Sequence, residues 1–140
     1  GDRPPPVWLN EGIAYVFQAG FLGTASCYCI PGTPQAEDAA WESASPEAWP
    51  ALLRESVLRG TSPSIHAVVG ASVETMSTAA RIKTWSLTDW LLAERRAGMR
   101  DLLRRLAAGE EHDAAVLAAF GVADLEELDR AWQEWVLASY

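Results

Sequence analysis

Apolar residues recur at helical spacing along most of this chain, most plainly in its last third. Met99, Leu102, Leu103 and Leu106 fall at i, i+3, i+4 and i+7, and Gly109 closes that run. Asp113 to Phe120 reads as a short helix stopped by Gly121. Asp124, with Glu127 three residues on, resembles a capping box. Leu125, Leu128, Trp132 and Trp135 then repeat every three or four residues almost to the C-terminus. Upstream, residues 78–96 carry Ile82, Trp85, Leu87, Trp90, Leu91 and Leu92 on several helical faces, which predicts a helix buried among other elements. Asp89 lies within it and needs a partner if buried.

Ser45-Pro46 and Trp49-Pro50 offer two helix starts, because proline is tolerated in a first turn. Leu52, Leu53, Val57 and Leu58 carry that helix to Gly60. Ser62-Pro63 opens a short helix through about Val69, with Ser62 as N-cap, and Gly70 to Ser77 reads as a connection. The first helix is predicted over residues 7–18, after a proline lead-in, from the spacing of Leu9, Ile13, Val16 and Phe17; Gly20 and Gly23 end it. Residues 19–45 lack helical period and read as a long irregular loop, in which Ala25 to Ile30 suits a short strand. That loop reads equally as a cleft lining or as a surface excursion.

Two residues in the first helix are out of keeping with it. Glu11 sits among apolar neighbours, where a carboxylate is costly to bury unless paired, hydrogen-bonded or metal-bound. Gly12 costs about 1 kcal/mol relative to alanine in a helix, so its neighbours need the space: a second helix or a ligand comes close to the backbone.

Composition narrows the function classes. The chain has 140 residues, enough for one domain with a core, and seven Trp, most of them expected as core anchors. The net charge of −8 argues against nucleic acid and against anionic membranes, and no apolar run approaches a membrane span. Cys27 and Cys29 read as isolated buried or half-buried thiols, with a redox pair or a metal contact as the alternatives. His66 is read as an ordinary surface or core residue before a ligand, and His66 and His112 lie too far apart to form a close-spaced pair of metal ligands on one helix. The fold class expected is mainly α: a compact bundle of five to seven helices with one long loop, forming a single domain over 1–140.

Trp8-Leu9-Asn10-Glu11-Gly12-Ile13-Ala14 resembles the second half of the zinc site in gluzincin metallopeptidases, both the aminopeptidase branch and the compact bacterial peptidase MA-like domains. In those families an HExxH helix supplies two histidine ligands and a general-base glutamate, and a glutamate in an Asn-Glu-Gly context is the third ligand. The resemblance implies that Glu11 is that metal ligand and that Asn10 helps fix the helix at the site. The other reading of Glu11 is a structural residue on an amphipathic helix. The likeness extends to an Ala-Tyr-x-x-x-Trp pattern, matched by Ala80 and Trp85, with Arg81 where the family has tyrosine. It also extends to the capped, Trp-containing last helix, so it is strong at 7–17 and 99–136 and weak between. A tyrosine there can stabilise the oxyanion, so Arg81 is the catalytic candidate, with Lys83 beside it; a solvated arginine is the alternative.

Only ten residues precede Glu11, whereas the families place HExxH about twenty residues before their ligand. Gly1 reads as a non-native start. The chain is therefore expected to be the C-terminal helical part of a zincin-like fold from a larger protein. The parent is expected to be a zinc-dependent peptidase acting on a peptide or protein substrate, an exported one included. This chain alone is expected to hold no zinc and to be inactive. The alternative is a non-catalytic helical interaction module or a degenerate peptidase scaffold. Truncation further predicts an uncovered apolar face on helix 7–18, and hence a homodimer through it or a displaced helix.

Overall fold

The computed structural model describes residues 5–23, 41 and 44–140. Seven α-helices lie among these residues: α1 (Val7–Leu22), α2 (Trp49–Leu58), α3 (Ile65–Val69), α4 (Thr78–Glu94), α5 (Arg96–Ala107), α6 (His112–Phe120) and α7 (Leu125–Ser139). No strand occurs among them. The chain is thus the mainly α bundle that the periodicity predicts. Most of the long loop, the strand at 25–30 and both cysteines lie outside the described residues.

Helix α4 is the axis of the bundle. Ten of its side chains are buried, from Ala80 to Leu91, on all of its faces. Helices α1, α2, α3, α5 and α7 all pack on it, and α6 fills in between α5 and α7. A helix surrounded in this way has no solvent stripe to keep polar, which is why its apolar residues show no clean period. Leu53, Ile65, Val68, Leu87, Leu91, Leu102, Val116, Trp132 and Val136 meet in one continuous core. Four of the seven Trp (Trp8, Trp49, Trp90 and Trp132) are buried in it.

Local chemistry sets the helix ends. The two proline starts are both used: Pro46 opens a 3-10 turn over Pro46–Ala48, and Pro50 sits in the first turn of α2. Asp124 accepts a hydrogen bond from the Glu127 backbone N–H at 2.7 Å, while the Glu127 carboxylate accepts from Ala123. The cap of α3 is Ser64 and not Ser62; Ser64 is extended at ψ 154 and accepts from the Ala67 N–H. Ser77 caps α4 and Glu111 caps α6 in the same way.

Helix α1 runs four residues further than its sequence pattern predicts, through Gly20 to Leu22, and stops where Gly23 turns left-handed at φ 63. Its core face also differs. Trp8, Leu9, Gly12 and Tyr15 are buried, whereas Ile13 and Val16 are half-buried and Phe17 is exposed. The buried face lies against α4 within the chain's own fold, so the apolar face expected to be uncovered on helix 7–18 is covered at Trp8, Leu9, Gly12 and Tyr15. The large apolar side chains that α1 leaves exposed are Phe17, Phe21 and Leu22, with the two phenyl rings stacked at 5.7 Å.

Candidate functional site

The crossing of α1 and α4 explains the glycine that breaks the pattern. A Cβ on Gly12 would lie 2.0 Å from Thr88 Oγ1 and 2.9 Å from the Thr84 carbonyl oxygen. The space that Gly12 leaves is therefore filled by the backbone and a side chain of α4. Of the two causes open at the sequence level, the second helix is the one found.

This close approach brings Glu11 beside Arg81. Glu11 follows from α1 onto the edge of the seam, where its side chain is 23% exposed, and Arg81 stands on the first turns of α4, 9% exposed. Arg81 Nη1 donates to Glu11 Oε2 at 3.4 Å. The same guanidinium donates through Nε to the Met76 carbonyl at 3.1 Å and through Nη2 to the Val73 carbonyl at 2.6 Å. Arg81 is thus a fixed residue that ties the 73–76 turn to α1, not a solvated one. The planar fork of arginine suits this work, because one group serves three acceptors in fixed directions.

Lys83 is two positions from Arg81, which puts it on the opposite side of α4. It is fully buried, donates to Pro63 O at 2.6 Å and to Asp129 Oδ1 at 2.5 Å, and lies 4.3 Å from the centre of the Trp132 ring. Burial lowers its pKa, and the Asp129 carboxylate opposes that. Lys83 is a tie between α4 and α7 and has no part in an oxyanion site with Arg81.

The remaining sequence candidates separate from Glu11. Asn10 is exposed and makes no side-chain hydrogen bond among the described residues. His66 pairs with Glu126 at 2.7 Å on the surface between α3 and α7. His112 accepts at Nε2 from the Trp8 indole N–H at 2.8 Å, and its Nδ1 faces Asp113 Oδ1 at 3.0 Å. The neutral ring with its proton on Nδ1 satisfies both contacts. Trp8 and His112 are 104 residues apart, so nothing local in the sequence announces this bond.

A metal at Glu11 can be weighed on the donor set. The carboxylate is of a suitable type, stands on a rigid helix and keeps a partly open side. Among the described residues, however, no group of three His, Cys, Asp or Glu gathers there or elsewhere. These residues fit the part of one ligand, not of a whole shell. Compared with family models, with curated proteins and with solved structures, the chain matches none.

Proposed function

We propose that this chain is the C-terminal helical part of a gluzincin-type zinc metallopeptidase of the peptidase MA-like kind, to which it contributes the third metal ligand, Glu11. The observation that carries this reading is the position of Glu11: a partly buried carboxylate in an Asn-Glu-Gly motif, on a helix packed tightly along a second helix. Zinc, when bound, supplies a Lewis acid for a peptide carbonyl and a water of lowered pKa. The chain's own residues do the holding. Packing of Gly12 on α4 fixes the height and direction of Glu11, and Arg81 restrains Oε2 by a charge-assisted bond. Arg81 stands in the tyrosine position of the resemblance and is the candidate to act on the substrate oxyanion, with Asn10 beside the ligand on α1. The substrate would be a peptide or protein.

With one ligand, the chain by itself is expected to bind zinc weakly and to cleave nothing. Metal analysis and peptide hydrolysis by the purified chain test this. A stoichiometric, tightly held zinc contradicts the assignment. A second reading has an observation of its own. The Arg81 guanidinium gives Glu11 the counter-charge that a metal would otherwise give, as expected of a scaffold that has lost its chemistry and serves as a helical interaction module. The native sequence upstream discriminates: HExxH about twenty residues before Glu11 favours the enzyme, and its absence favours the scaffold. A homodimer through α1 would have to use Phe17 and its neighbours Phe21 and Leu22; light scattering tests it, with a monomer at all concentrations as the contrary result.

A further inference from the structure

Trp8 anchors the start of α1 through a bond that depends on the protonation of its partner. The side chain is 1% exposed, and its indole N–H donates to His112 Nε2 at 2.8 Å. An indole nitrogen can only donate, so the ring nitrogen that faces it carries no proton. His112 is the first residue of α6, and the bond therefore ties α1 to α6, two helices that share little other packing. The rings meet edge-on, with centres 6.1 Å apart and planes at 60°. The edge of an indole is the positive part of its quadrupole. A proton on Nε2 would set two donors against each other and a cation against that edge.

The surroundings nevertheless give the ring access to a proton and to counter-charge. Its side chain is 21% exposed, so water reaches it. Asp113 Oδ1 lies 3.0 Å from Nδ1. Glu111, the N-cap of α6, is held below the ordinary carboxyl range by the Ala114 N–H, and His112 adds to that. Glu110 lines the same groove as His112, beside Leu103, Leu106 and Ala107 of α5. Its charge is shared with Arg105 at 3.1 Å, and Arg105 also holds Asp101 at 2.8 Å. The lead-in to α1 brings only Pro5 and Pro6 to that groove among the described residues. Three carboxylates thus favour the charged ring. Trp8 and the N-terminal end of α6, where the helix dipole is positive, favour the neutral one.

We propose that His112 is a pH-sensitive latch: on taking up a proton it releases the Trp8 indole and uncouples the start of α1 from α6. Glu11 stands three residues beyond Trp8, so the latch acts on the helix that carries it. The latch does not depend on any role of Glu11, and its test involves no zinc. The Trp8 indole N–H resonance of the folded chain, followed by NMR from about pH 7.5 to about pH 5, reads it directly. The expected result is a one-proton titration shared by the Trp8 indole and the His112 ring. Hydrogen-exchange protection of that N–H, corrected for the intrinsic rate, should fall about tenfold across the window. His112→Gln offers an amide oxygen in place of Nε2 and cannot titrate, so its Trp8 resonance should stay fixed. His66→Gln removes the other histidine and should respond as wild type does. An indole resonance that stays fixed while the His112 ring titrates overturns the proposal. So does a ring that takes up no proton in this window, a response that persists in His112→Gln, or unfolding of the whole chain over the same range.

Discussion

Replacing Gly12 by alanine tests the seam on which the bundle is assembled. In an exposed helix this change stabilises by about 1 kcal/mol. Here the added methyl would stand 2.0 Å from Thr88 Oγ1 and 2.9 Å from the Thr84 carbonyl oxygen. The Thr88 hydroxyl can turn aside at modest cost, but the Thr84 oxygen is α4 backbone, so the two helices must separate. Overpacking of this kind costs about 1–3 kcal/mol, occasionally more, and outweighs the propensity gain. A net loss of about 1–2 kcal/mol follows, or roughly 3–8 °C in Tm for a chain of this size. Thr88→Ala on its own should be nearly neutral, because it removes a buried hydroxyl that has no hydrogen-bond partner. The double variant Gly12→Ala, Thr88→Ala should recover part of the loss, leaving a measurable coupling energy. Urea and thermal unfolding followed by circular dichroism give all four values. A Gly12→Ala chain as stable as wild type, or more stable, refutes the close approach of α1 and α4 and with it the placement of Glu11.

Three further outcomes are expected. Lys83→Met leaves Asp129 buried without its cation and should cost about 3–5 kcal/mol, whereas Lys83→Met with Asp129→Leu should regain much of it in urea unfolding. Arg81→Met strands the Val73 and Met76 carbonyls as well as Glu11 and should cost about 2–4 kcal/mol, against about 1 kcal/mol or less for Glu11→Gln, whose partner keeps its carbonyl acceptors. Asp89 has a folded-state pKa above its ordinary 3.8, so its protonated form is the one the fold favours. Its contribution is greatest below pH 3.8 and is lost as pH rises through the folded value, so Asp89→Asn should stabilise the chain at neutral pH and not in acid. A pH series of unfolding midpoints for the two proteins checks this. A gain that persists unchanged below that range would contradict it.

What could be read from the sequence follows from how local each determinant is. The caps at Asp124 and the proline starts at 46 and 50 act within one turn, and they appear where the residues predict them. Ser62 and Ser64 flank the same proline, and only the backbone decides that the second one turns into α3. The core face of α1 is not legible in its spacing, because the helix is apolar on nearly every face: spacing alone does not tell Leu9, Ile13, Val16 and Phe17 from Trp8, Leu9, Gly12 and Tyr15. Gly12 stood out in advance as a close approach, yet its neighbour Thr88 lies 76 positions away, beyond any local pattern. Separations of 46 and 104 positions likewise hide Lys83 with Asp129 and Trp8 with His112. Arg81 illustrates the opposite case. Its position stands out by comparison with a motif, while its burial and its bonds to Met76 and Val73 depend on the 73–76 turn folding back over α4.

The most direct test of the account concerns Glu11 as a metal ligand. Zinc affinity should be measured for the native protein carrying this chain together with the residues upstream of it, as wild type and as Glu11→Gln. The account predicts one zinc per wild-type chain and an affinity at least about 100-fold weaker in the variant, with the circular dichroism of the two proteins alike. Equal zinc binding by both proteins, or none by the wild type, would contradict it.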